Sequence, residues 1–335
     1  MKDVALGIDI GGTNTKFGFV DRSGHLYAET SIPTTKTPPD DIDAFLQYLY
    51  DEIELLRKEV AEELSIVGVG IGAPNGNYFT GTIEYAPNLS FRGIVPLIEL
   101  FKKYYNVPMV LTNDANAAAI GEMIYGGAQG MRNFIMVTLG TGLGSGFVAN
   151  GQLVYGHDGF AGEMGHILQK PKGRTCGLGR QGCLESYVSA TGIKRTVFKL
   201  LADMNDPTPL RDVTYNQLAA KQITELAQQG DPVACAAFDY TSRLLGQKLS
   251  DMVAIFSPEA IFLLGGLAKA GDELLFRPTK RYMEEYMFQV FRDKVKILPS
   301  ALEDKNAAVL GASALAWKEM EVDSVVRQGG IPKAK

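Results

Sequence analysis

At 335 residues the chain is long enough for two domains of ordinary size, and its composition, 46% hydrophobic and 21% charged, is that of a globular protein rather than a disordered one. A formal net charge of −5 argues against a nucleic-acid backbone as the main partner. No apolar run approaches the roughly 20 residues that cross a bilayer. The start MKDVALGIDI lacks the layout of a secretory signal, and three cysteines make no disulfide framework, so a cytoplasmic protein is expected, with neither membrane nor nucleic acid as partner.

Residues 4–10 form an apolar run that ends at Asp9 and passes into Gly11, Gly12, Thr13, Asn14, Thr15 and Lys16, and residues 17–20 then return toward a turn at 21–24. The spacing predicts a strand, a tight glycine turn and an antiparallel strand. Gly11 and Gly12 let backbone amides approach an anion, and Thr13 and Thr15 can add hydroxyl donors. Asp9 beside such a cradle suits a magnesium shell. A third strand is expected at 25–33 and a helix at 40–59, capped by Asp40, with Ile42, Phe45, Leu46, Leu49, Ile53 and Leu56 on one face. A buried strand at 66–73, a helix at 94–105, a strand at 109–112 ending in Asn113 and Asp114, and an alanine-rich helix at 115–125 follow. By itself Asp114 reads as an ordinary helix N-cap.

The pattern then repeats. Residues 133–139 predict an apolar strand, and Gly140, Thr141, Gly142 and Gly144 lead into a returning Gly-Phe-Val like the first one. Two such hairpins suggest duplicated domains. A long glycine-rich loop comes next, holding Glu163, His166, Cys176, Cys183 and Glu185. Glu163 and His166 lie close enough in sequence to reach one small polar ligand, although on spacing alone a solvated loop stands equally well. Helices at 191–204, 214–229 and 231–256, a buried strand at 259–264 followed by Gly265 and Gly266, a mostly helical stretch at 271–291, a strand at 295–299 and a last helix at 306–320 complete an α/β class.

Gly162-Glu163-Met164-Gly165-His166 resembles the G-E-x-G-H sugar-site motif of the ROK family of repressors and sugar kinases. Cys176-Gly177-Leu178-Gly179-Arg180-Gln181-Gly182-Cys183-Leu184-Glu185 resembles that family's C-x-C-G-x-x-G-C-L-E, with Leu178 where the middle cysteine belongs. The likeness extends to Asp9-Ile10-Gly11-Gly12-Thr13, Ala86-Pro87-Asn88-Leu89, Asn113-Asp114-Ala115, Gly140-Thr141-Gly142-Leu143-Gly144 and Leu264-Gly265-Gly266, in the family's order.

The resemblance implies two actin-like ATPase (ribonuclease H-like) domains flanking a cleft. Residues 1–114 plus about 301–325 would form a small N-terminal α/β domain closed by the last helix. Residues 115–300 would form the larger domain with the sugar loop, and 326–335 a frayed tail. It implies transfer of the ATP γ-phosphoryl group, with Mg2+, to a hexose hydroxyl, most simply glucose. Asp114 would be general base, and Asn88, Asn113, Glu163, His166 and Glu185 would bind the sugar. Gly11, Gly12, Thr13, Thr15, Gly140, Thr141, Gly142 and Gly144 would hold phosphates beside Asp9, and Gly265 and Gly266 would lie under the adenosine. A homodimer or homotetramer is implied as well. Kinases for N-acetylmannosamine, N-acetylglucosamine or fructose, and a sugar-responsive repressor, are the alternatives. The repressor reading is disfavoured because only eight residues precede Asp9, too few for a DNA-binding domain.

The family's structural zinc site maps to His166, Cys176, Leu178 and Cys183. A structural site is usually closed by four protein ligands, and Leu178 supplies none. The expectation is therefore no stably bound zinc, with Leu178 packed inward over the vacated space and His166 held by a protein hydrogen bond.

Overall fold

The computed structural model describes residues 1–303 and 306–327. The first apolar run is β1 (Lys2–Ile10), and the glycine turn sends it back as β2 (Asn14–Val20) and β3 (Leu26–Pro33). Then come α1 (Ile42–Glu59), β4 (Leu64–Gly72), a small sheet of β5 (Gly76–Asn77), β6 (Thr82–Glu84) and β7 (Ile94–Val95), α2 (Leu97–Phe101), β8 (Met109–Thr112) and α3 (Asp114–Tyr125). Asp41, one residue later than expected, caps α1 by accepting from the Ala44 N–H at 2.9 Å. The helix expected at 94–105 is only the short α2, because Pro96 interrupts it and Ile94 and Val95 pair with β6 instead.

The second half supplies β9 (Phe134–Leu139), β10 (Leu143–Ala149), β11 (Gln152–Leu153), α4 (Ala190–Asp203), α5 (Ala220–Gln228), α6 (Pro232–Phe256), β12 (Ala260–Leu264), α7 (Arg277–Tyr286) and β13 (Lys296–Pro299), and α8 (Ala307–Arg327) ends the described chain. The two large sheets run β3-β2-β1-β4-β8 and β11-β10-β9-β12-β13. In each, a hairpin edge is followed by three parallel strands in the same order, as two copies of one pattern would give.

The chain forms two compact units. The first holds Met1–Met131, Gly146–Gly162 and the described residues from Ala301 onward; the second holds Arg132–Ser145 and Glu163–Ser300, with β10 passing from one to the other. The sequence reading closes the first domain at Asp114, whereas the structure keeps α3 in the first unit. The reason is packing. α3 and α8 are rich in alanine and glycine, and Gly121 lies against the Gly311 backbone, so the two helices pack on each other. α8 also covers β1 and β4, where a side chain at Gly70 would strike the Ala312 carbonyl. Leu6, Ile8, Phe17, Phe19, Phe45 and Phe101 centre the core of the first unit. In the second unit Phe134 and Phe262 meet edge-on at 5.7 Å between β9 and β12. Of the expected tail at 326–335, Val326 and Arg327 belong to α8 and the rest lies outside the described residues. Among the described residues no helix is long and apolar enough to cross a membrane.

Candidate active site

In the first unit three parallel strands deliver the acidic groups. The register sets Asp9 of β1 beside Gly72 of β4, and Gly72 beside Thr112 of β8, after which Asp114 opens α3. Ligands gather at such carboxyl ends of parallel strands. Gly72 keeps the spot between the two acids open: a Cβ there would lie 3.7 Å from Asp9 Oδ1, 3.6 Å from the Asp114 Cα and 3.3 Å from the Ala117 Cβ.

Burial raises the Asp9 carboxyl to about 7, and the Asp114 charge adds to the rise. Lys16, which faces Asp9 across the β1–β2 hairpin, offsets part of it. Asp114 is raised as well, by burial, with the N–H groups of Ala115 and of Asp114 itself pulling the other way. Asp114 is exposed as a residue where it opens α3, while the protein groups crowded around its carboxyl are what raise it. The helix cap is Asn113, whose Oδ1 accepts from the Ala115 N–H at 2.9 Å. Asp114 Oδ1 accepts from the same N–H at 2.8 Å, and its second oxygen is the one a ligand can use.

The first hairpin turn closes with the Gly11 N–H donating to the Asn14 carbonyl at 3.0 Å. A side chain at Gly12 would strike the Asn88 carbonyl, so that close approach brings Asn88 to the turn. Gly11, Gly12 and Thr13 keep surface for a phosphate, but Thr15 does not. Strand alternation puts Thr15 on the buried face with Phe17 and Phe19. Its Oγ1 pairs with Thr34 Oγ1 at 2.8 Å, and Thr34 Oγ1 donates to the Gly11 carbonyl at 2.7 Å. Thr15 therefore braces the turn from beneath, which corrects its expected phosphate role.

In the second unit the glycine hairpin and the sugar-motif loop are built on each other. The Gly140 carbonyl accepts from the Ala190 N–H at 2.9 Å, and the Thr141 carbonyl accepts from Thr191 Oγ1 at 3.1 Å. Glu185 Oε2 accepts from the Leu143 N–H at 3.1 Å, with Gly142 leaving room for the carboxylate. Ser145 Oγ accepts from the Met164 N–H at 3.1 Å, which seats the short turn Met164–His166 that follows Glu163. Gly144 keeps partial exposure in β10. Gly265, at φ +110°, packs against the Leu139 carbonyl, so Gly265 and Gly266 follow β12 beside the end of β9 that leads to Gly140.

Between His166 and Glu185 the chain makes a narrow hairpin, with Leu168 bridged to Cys183 and Thr175 to Gln181. Arg174 fastens it: its Nη1 donates to the carbonyls of Ser186 and Gly192 at 3.1 and 3.0 Å and to Thr196 Oγ1 at 3.0 Å, while its guanidinium stacks on Tyr187. Cys176 and Cys183 are both buried free thiols, and burial followed by the neighbouring Cys176 pushes Cys183 up to about 11. Two expectations fail here. Leu178 is 46% exposed at the hairpin tip instead of packed inward, because the turn at Gly177 and Gly179 stands in open space with no apolar surface to cover. The buried Nδ1 of His166 has no hydrogen-bond partner, because the turn offers it no protein acceptor or donor.

Residues 5–319 match the ROK family. The chain belongs to that family. A glucokinase from Streptomyces coelicolor is 37% identical over 322 residues, which is 93% of this chain and 97% of that protein. The crystal structure of a ROK family glucokinase from Streptomyces griseus in complex with glucose and AMPPNP superposes with a TM-score of 0.78 at 33% identity, covering 94% of this chain and 99% of the other. The DNA-binding transcriptional dual regulator NagC of Escherichia coli is 26% identical over 320 residues, 94% of this chain and 76% of the regulator.

The fold of this ROK protein is accordingly the α/β actin-like ATPase type. Its sequence-predicted site residues divide by unit. Asp9, Gly11, Gly12, Thr13, Asn88, Asn113 and Asp114 belong to the first; Gly140, Thr141, Gly142, Gly144, Glu163, His166, Glu185, Gly265 and Gly266 belong to the second. Sequence reasoning missed Gly72, Lys16, Ser145 and Arg174. Gly72 alone carried a signal, as the last of the glycines that alternate along β4 and so mark close approaches.

Proposed function

We propose that this ROK-family sugar kinase transfers the γ-phosphoryl group of ATP to a hexose hydroxyl, with glucose as the preferred acceptor and Asp114 as general base. One observation carries the reading: Asp114 is exposed where it opens α3, while its carboxyl is raised by burial and fixed through one oxygen by the Ala115 N–H. A carboxylate raised toward neutrality takes a proton more readily than an ordinary one. In the reaction the hydroxyl oxygen bonds to the γ-phosphorus as the bond to ADP breaks, and the hydroxyl proton passes to Asp114. Such a transfer asks mainly for positioning and charge neutralisation.

Asn88, Asn113, Glu163, His166 and Glu185 are assigned to the sugar hydroxyls. Asn113 has its Nδ2 left for this after capping α3, and Glu185 its Oε1 after holding Leu143. Amides of the turns at Gly11–Thr13 and Gly140–Gly144 suit the phosphates, and Gly265 and Gly266 the adenosine. Asp9 fits a hard divalent cation. Its carboxyl is raised to about 7 and repelled by Asp114, so a cation would relieve both. Mg2+ held there would neutralise phosphate charge. A purely sugar-responsive regulator has no use for a raised carboxylate at an exposed residue, which favours the enzyme reading.

A coupled assay with ATP and a panel of hexoses and N-acetylhexosamines tests the assignment. Glucose should show the highest kcat/KM, and Asp114→Asn should lower kcat by about 10²–10⁴-fold while sugar binding persists. A better acceptor in the panel would replace glucose. A variant keeping more than about a tenth of the parent kcat would remove Asp114 as the base.

A further inference from the structure

β8 is the end strand of its sheet, so among the described residues one of its long edges has no strand beside it. The Val69 N–H donates to the Pro108 carbonyl at 2.9 Å, and the Ala73 N–H donates to the Thr112 carbonyl at 3.0 Å. The backbone groups of a strand alternate between its two edges. Pro108, Val110 and Thr112 therefore serve β4, while Met109 and Leu111 turn theirs outward. An outward edge of this kind is a template for another extended chain unless something covers it. Leu111 is covered, but Met109 is only half-buried, so Met109 is the rung that an incoming chain can reach.

Along that edge lies a groove of about 720 Å³, lined only by residues of the first unit. Its apolar lining includes Phe79, Ile98, Val107 and, from α8, Ala316. Opposite charges stand toward its two ends. Lys102 and Asn106 come just ahead of β8 in the chain, and both are exposed. Glu319 accepts from the Tyr78 hydroxyl at 2.8 Å. Tyr78 stacks on Tyr155 with ring centroids 4.0 Å apart, and Tyr155 shares a side-chain hydrogen bond with Thr112 at the far end of the strand. Among the described residues Lys102 forms no ion pair, and Glu319 has one oxygen left after Tyr78.

We propose that this groove docks an extended peptide segment of a partner protein, whose backbone pairs with Met109 and whose acidic and basic side chains meet Lys102 and Glu319. β8 spans four residues, and an extended chain rises about 3.3 Å per residue, so the two charges belong roughly four residues apart. A peptide backbone supplies both the acceptor and the donor that the Met109 N–H and C=O require, which an apolar small molecule does not. Strand addition of this kind draws affinity from main-chain bonds and specificity from pockets for alternate side chains. Here Phe79, Ile98 and Val107 supply apolar contacts for those side chains, and the charged ends fix the register.

The test pans a phage-displayed library of random heptapeptides on the full chain, with glucose and an ATP analogue present. Enriched peptides are then synthesised with a fluorophore and titrated by anisotropy. Their sequences should carry one acidic and one basic residue roughly four positions apart, with apolar residues between. Lys102→Glu should weaken the best peptide at least about tenfold, since like charges opposed across an interface are costly. The same peptide with its acidic residue changed to Lys should regain affinity for that variant. Met109→Pro removes the outward N–H without touching the bonds to β4, and it should abolish binding. Because Lys102 is exposed, its replacement remains informative even if Met109→Pro fails to fold. No enriched peptide, equal affinity for the parent and Lys102→Glu, or binding that survives Met109→Pro would each overturn the proposal. Self-association of the chain that Met109→Pro abolishes would give the groove to a second copy and overturn it too. None of these readouts depends on which sugar is phosphorylated.

Discussion

Replacing Asp9 with Asn should stabilise the protein while impairing it. In the folded chain Asp9 keeps its proton up to about pH 7, whereas the ordinary value is 3.8. Above pH 7 the fold must therefore carry a buried charge that the unfolded chain carries in water. The difference between 3.8 and about 7, at 1.36 kcal/mol per pH unit, sets an upper bound of about 4 kcal/mol on that cost. Because the folded value is the higher one, the parent gains stability as pH falls from 7 toward 4, and the cost vanishes below the unfolded value. Asn cannot ionise and has nearly the same shape, so Asp9→Asn should be more stable than the parent at about pH 8, with the gap closing near pH 4. Guanidinium unfolding followed through Trp317, the single tryptophan, reports on the first unit, where that side chain is buried. A variant no more stable than the parent at about pH 8, or a gap that does not narrow on acidification, would refute the reasoning. Turnover should fall in the same variant, since the proposed cation loses its carboxylate.

Three further outcomes are expected. kcat/KM for the best hexose should fall as pH is lowered through a value above the ordinary carboxylate range, because Asp114 must be ionised to accept a proton and burial raises it; a profile flat down to about pH 4.5 would exclude this. Thr15→Val should leave the KM for ATP within about twofold and lower stability by about 1–2 kcal/mol in chemical denaturation, because its buried hydroxyl serves Thr34. A large change in that KM would restore Thr15 to the phosphate site. Gly70→Ala should cost about 1–3 kcal/mol or more by thermal or chemical unfolding, since its Cβ would meet the backbone of α8 at Ala312; unchanged stability would mean that α8 is free to shift.

Much of this protein is legible in its sequence because the relevant rules are local. The two strand–turn–strand hairpins announce themselves through glycines between apolar runs, and their repeated Gly-Phe-Val points to the duplicated sheet order. The motif residues Asp114, Glu163, His166 and Glu185 stand beside turns that few residues specify. Other features depend on parts of the chain far apart in sequence. Which face of β2 is buried decides that Thr15 meets Thr34 and not a ligand. Asp9 acquires its raised carboxyl from burial and from Asp114, which only the pairing of β1, β4 and β8 brings near. α3 belongs with the first unit because α8 returns to pack on it. Leu178 looks like core by its chemistry, yet it faces water, because the backbone of a two-stranded hairpin leaves its tip with nothing to pack against. Local sequence sets the conformation of each turn, but burial belongs to the whole fold, and burial decides which side chains meet solvent and which carboxyl keeps its proton.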